Sequence, residues 1–133
     1  MSWAQDIRYR IQPRVLFGLH ACDINALLKL DKVFARDLFP SPYYVSRRKN
    51  TVIVGIDHMP CAKGFCRSVG ADTVTHGFDL FFTGIGDRWF VAIDSDRGYN
   101  LLQHGAQFAE PCGRDRHTRT DHTRARVAGR GQM

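Results

Sequence analysis

Two apolar runs of strand length, RVLFGL at 14–19 and TVIVGI at 51–56, bracket a stretch of helical character, ACDINALLKLDKVFARDLF at 21–39. That arrangement constrains the fold more than any other feature of the chain. Both runs are too short for a core helix and lack polar alternation, so each is read as a buried strand. Thr51–Ile56 is also β-branched, which suits a pleated surface. Between the runs, Ile24, Leu27, Leu28, Leu30 and Phe34 recur at spacings near three and four, which predicts a helix with one apolar face. Asp23 suits a place at or near its N-cap, and Pro40 and Pro42 close the segment. YYVSRRK at 43–49 predicts one or two further helical turns. Strand, helix, strand is the grammar of a βαβ unit, with parallel pairing and a right-handed crossover.

Two more apolar-aromatic runs, 78–83 and 89–93, are joined by GIGDR, which is good hairpin chemistry. A last helix is expected over 96–103, capped by Ser95 or Asp96. The expected fold class is therefore α/β: a small mixed sheet with a βαβ start and a C-terminal β-hairpin. From residue 104 the chain has few large apolar residues and no sustained period. It cannot bury enough surface to offset its ordering entropy, so it is read as a disordered tail. The domain reading is 1–103 as one α/β domain and 104–133 as a basic tail.

The net charge of +6 invites a nucleic-acid reading. Its placement argues against one. The tail holds six arginines against Glu110, Asp115 and Asp121, a net +3, and the remaining +3 is spread over 13 basic and 10 acidic side chains. That is an ordinary surface, so nucleic acid is not an expected partner. No apolar run approaches the roughly 20 residues needed to span a bilayer, and MSWAQDIRYRIQPR has no apolar signal core. The expectation is a cytoplasmic protein without a membrane partner, whose four cysteines stay reduced.

Those cysteines focus attention on DHMPCAKGFCRS at 57–68. His58, Cys61 and Cys66 are spaced H-x2-C-x4-C, with Pro60 and Gly64 suiting a tight backbone around a ligand. Loops at the C-terminal ends of adjacent parallel strands converge on one edge of the sheet. His20–Asp23 follows the first strand and Asp57–Cys66 the second, so Cys22 is expected to approach Cys61 and Cys66. Three cysteines and one histidine suit structural zinc. They equally suit an iron–sulfur cluster, where histidine can replace cysteine. The same residues also read as buried fillers, or as a Cys61–Cys66 redox pair. Cys112 lies in the tail and is read as incidental. Spacing alone does not choose among these.

Other features are weaker. Arg47-Arg48-Lys49 sits at an expected helix end, where cations offset the dipole; it also suits a partner's carboxylate or a phosphate. Gly84-x-Gly86 lacks the third glycine of a dinucleotide fingerprint and belongs to the hairpin. Tyr43 and Tyr44 are read as packing residues. No base or orienting group marks a cysteine nucleophile.

Three blocks carry a resemblance: VLFGLHACDINALLKLDKVF, PYYVSRRKNTVIVGIDHMPCAKGFCRSVGADT and GFDLFFTGIGDRWFVAI. Together they resemble the iron–sulfur beta subunit of cytoplasmic sulfhydrogenase-type nickel–iron hydrogenases, to which the electron-transfer component of anaerobic sulfite reductase is related. The resemblance covers roughly residues 14–103. It implies an electron-transfer role with a 4Fe-4S cluster. It also implies hydrogenase or sulfite reductase subunits as partners, including one that binds flavin and NAD(P). Cys22, Cys61 and Cys66 carry over as cluster ligands. His58 stands where the family pattern C-x2-C-x4-C has its first cysteine, and carries over only as a substitute ligand. Family members continue into a ferredoxin-like domain with CxxCxxCxxxC runs. No such run occurs here, so the chain reads as a truncated member whose residues 104–133 are foreign to the family. The alternatives are a structural zinc module that binds other macromolecules, and a metal-free inactive fragment.

Overall fold

The structure is a computed structural model that describes residues 11–59 and 63–105. Seven elements run in order: β1 (Arg14–Leu19), α1 (Ala21–Phe34), α2 (Pro42–Lys49), β2 (Thr51–Ile56), β3 (Leu80–Ile85), β4 (Arg88–Ile93) and α3 (Asp96–Gly105). They build one four-stranded sheet in the order β1-β2-β3-β4. β1, β2 and β3 are parallel, and β4 returns antiparallel to β3. This is the expected α/β mixed sheet, with its βαβ start and its closing hairpin. Gly86, at φ 62°, and Asp87 link Ile85 to Arg88. A glycine at positive φ with an ordinary residue after it is the pattern of a type II′ turn, which matches the strand twist.

The core lies between the sheet and α1. Ala21, Ile24, Ile53, Phe78 and Phe81 are buried together, with Leu19, Leu27, Val74 and Ala92 packed around them. Ile53, Gly55 and Phe81 share the face under α1, as the period-two alternation of strands requires. The other face is less covered. α3 begins there against Asp79 and Leu80, where Gly98 sits too close for any side chain. Val15, Phe17, Trp89 and Ile93 stay exposed.

Several sequence expectations are corrected. β1 is apolar but not buried: it pairs only with β2, at the sheet edge, and Phe17 is 75% exposed. α1 starts one turn earlier than an Asp23 cap requires, with His20 as N-cap, and Asp23 reaches back so that its carboxylate accepts the His20 N–H at 3.0 Å. That helix stops at Phe34 and does not run on to Phe39. Pro42 opens a helix and does not only end one. It sits in the first turn of α2 behind the N-cap Ser41, where a missing N–H costs nothing. Ser95 caps α3, accepting the Gly98 N–H at 3.0 Å, and the helix reaches Gly105. The tail expectation concerns residues outside the described ones.

α2 is tied to α1 by one carboxylate. Asp31 accepts the Tyr44 hydroxyl at 2.6 Å and the Arg48 Nε at 3.1 Å. Burial, together with the lesser effect of the hydrogen bond to Asp31, pushes the Tyr44 hydroxyl up to about 12. The fold therefore stabilises the neutral phenol. That contribution is complete below the ordinary value of 10.0 and is lost as pH rises through about 12. In an ultraviolet titration one of the four tyrosines should ionise after the others. Tyr44→Phe should abolish that late phase and cost about 1 kcal/mol. Identical titrations of the two proteins would refute the network.

Candidate metal centre

The site grows from the parallel pairing of β1 and β2, whose C-terminal ends leave the sheet along the same edge. At the end of β1 the register slips between Phe17 and Leu19. Gly18, at φ 81°, is the extra residue. Such a bulge bends a strand and re-aims the residues beyond it. Here it returns Leu19 to the core face and delivers His20 and Cys22 into the first turn of α1. β2 continues into the loop with the Asp57 N–H donating to the Phe82 carbonyl at 2.7 Å, and His58 comes next.

The two loops meet at two points. The imidazoles of His20 and His58 stack with centroids 3.8 Å apart and planes 17° from parallel. The side chains of Cys22 and Cys66 lie close enough for one thiol to act on the ionisation of the other, and neither is in a disulfide. Partial burial, then the Cys66 thiol and the Asp23 charge, push the Cys22 thiol up, while the Asp23 backbone N–H pulls it back in part. Cys22 is therefore a thiol at neutral pH, and any cation bound there must displace its proton.

Asn25 holds the loop in place. From α1 its side-chain amide donates to the Thr73 carbonyl at 2.8 Å and the Ala71 carbonyl at 3.4 Å, and also to the Ala21 carbonyl at 3.0 Å. The Ala71 N–H donates to the Cys66 carbonyl at 2.7 Å, so Asn25 anchors the turn that carries Cys66 one turn of α1 away from Cys22. Around the thiols the loop exposes Met59, Phe65 and Val69.

Of the four residues expected to form the site, Cys22 and Cys66 lie close together and His58 stacks on His20. Cys61 falls outside the described residues, as does Cys112. Among the described residues no three His, Cys, Asp or Glu side chains are arranged to hold one ion. The stacked imidazoles explain part of this. A ring nitrogen binds a cation in the plane of its ring, and an ion shared by two near-parallel stacked rings would lie far out of both planes. At most one of His20 and His58 can ligate while they stack. Sequence reading missed His20 and Asn25 as parts of the site. His20 could have been found from register, because it leaves β1 where His58 leaves β2. Asn25 had no signal of its own.

Over 88 residues, 66% of its length, the chain is 46% identical to Sulfhydrogenase 2 subunit beta of Pyrococcus furiosus. Over this segment the similarity supports the resemblance to the sulfhydrogenase beta subunits. It spans about a quarter of that relative, 26% of its length. No family model and no solved structure matches it.

Proposed function

We propose that this chain is an electron-relay segment of a hydrogenase-type complex, in which Cys22, Cys61 and Cys66 hold a four-iron cluster with His58 as the fourth donor. The observation that supports the reading is the closeness of the Cys22 and Cys66 thiols, carried by the segments that follow two parallel strands. A thiol pair from separate segments suits a thiophilic centre, and similarity to a sulfhydrogenase subunit supports a hydrogenase setting. A cluster would supply one-electron storage at this edge of the sheet. The chain's own residues do the rest. Asn25 fixes the Cys66 turn, and the loop amides and the partial burial of Cys22 set the electrostatic surroundings. While His20 and His58 stack, His58 can ligate only if His20 does not. Met59, Phe65 and Val69 offer an apolar landing beside the relay for a partner in the complex. The remainder of the relative's length, the sulfite reductase alternative, the cytoplasmic location and the flavin-binding partner belong to the same proposal.

Cys66→Ser and Cys22→Ser should each remove most iron and acid-labile sulfide from anaerobically purified protein. His58→Cys should raise cluster content and shift its electron paramagnetic resonance signal. Unchanged iron in both serine variants would refute the ligand assignment. Zinc without sulfide, lost in the same variants, would assign the site to a structural module.

A further inference from the structure

We propose that the cavity between α1, α2 and the β1–β2 edge is a binding site for a small monocarboxylate with an apolar body. The inference does not rest on the metal centre, which lies at the other end of these strands. The cavity measures about 400 Å³. That is the small end of the roughly 300–1,000 Å³ range of small-molecule sites. Leu16, Leu27, Phe34 and Ile53 form its apolar walls, and Leu16 and Phe34 remain open to solvent. Tyr43, Arg47 and Arg48 add the polar part of the lining. An apolar slot with a few convergent polar groups is the usual build of a ligand site.

The charges select the ligand. Arg48 donates through Nε to both Asp31 oxygens, at 3.1 and 3.2 Å. The Arg48 guanidinium also lies against the Tyr44 hydroxyl, whereas the Arg47 guanidinium makes no side-chain hydrogen bond or ion pair among the described residues. Two guanidinium groups against one carboxylate leave a single positive charge at the cavity. A monocarboxylate balances that charge, whereas a phosphate monoester dianion overshoots it. The guanidinium fork matches carboxylate geometry and favours a bidentate contact. Tyr44 cannot donate to the ligand, because its hydroxyl is committed to Asp31. It helps to hold Arg48 in place. Arg47 is exposed and free of structural duty, so it can be altered without breaking the α1–α2 tie.

The test is an amide NMR titration of the full chain with benzoate, with benzamide as the neutral isostere and phenyl phosphate as the dianion. Benzoate should shift the resonances of Leu16, Leu27, Ile53 and 41–51 saturably, and benzamide should bind about tenfold more weakly. Arg47→Ala should weaken benzoate about tenfold without moving resonances elsewhere, and Arg47→Lys should lose less. No saturable shift, equal binding of benzamide, or an unaffected Arg47→Ala variant would overturn the site. Tighter binding of phenyl phosphate than of benzoate would overturn the carboxylate assignment.

Discussion

Asp79→Ala is expected to destabilise the domain by about 3 kcal/mol, a large part of the roughly 5–15 kcal/mol that holds a small domain together. Asp79 is 4% exposed and joins three elements. One oxygen accepts the Ile53 N–H of β2 at 2.8 Å. The other accepts the Ser95 hydroxyl that caps α3 and lies 3.5 Å from the Arg97 Nε. Its own N–H returns to the Ile53 carbonyl at 2.8 Å and survives the substitution. The alanine variant strands the buried Ile53 N–H and takes the acceptor from the Ser95 cap hydroxyl, and unmet buried groups cost more than a made bond contributes. The half-exposed Arg97 keeps water and the Lys49 carbonyl. Asp79→Asn keeps an acceptor for Ile53 and a donor for Ser95, so it should cost only about 1 kcal/mol. Urea unfolding of the three proteins measures the difference. An alanine variant within about 0.5 kcal/mol of the parent would show that the junction carries little stability.

Gly55→Val should cost about 3 kcal/mol or prevent folding, through overpacking and not lost contacts. A Cβ at Gly55 would overlap the Phe81 ring and lie 2.9 Å from Ile24 Cδ1. Both neighbours are core residues, and Ile24 is fully buried. The strand has no room to move, because Gly55 pairs with Leu19 on one side and Phe81 on the other. Gly55→Ala combined with Phe81→Leu should recover much of the loss from Gly55→Ala alone. Such coupling between touching residues separates a steric origin from a strand-propensity one. Additive effects in the double variant would contradict the steric explanation.

The layout of the sheet was legible because each signal was local. The β-branched run at 51–56, the three-and-four spacing in α1 and the turn at Gly86-Asp87 each decided one element. The features that escaped were tertiary. RVLFGL has a core composition, yet it became an edge strand, since nothing in six residues says how many neighbours a strand will have. Asp23 looked like a cap because capping and reaching back from the third helical position draw on the same residue types. The site was half legible. The βαβ reading carried Cys22 to Cys66, because parallel neighbours must end on one edge. The His20–His58 stack and the Asn25 clamp depend on the register slip at Gly18 and on the fold of 63–73 against α1, which no spacing encodes.

The central claim is that the loops after β1 and β2 make an iron–sulfur relay. Its most direct test is the iron, acid-labile sulfide and zinc content of anaerobically purified protein, taken with its visible spectrum. Iron and sulfide are expected in equal amounts, near four of each per chain after reconstitution, with broad absorbance that bleaches on reduction. Protein that binds neither iron nor sulfide after reconstitution, with Cys22 and Cys66 still close together, would contradict the claim.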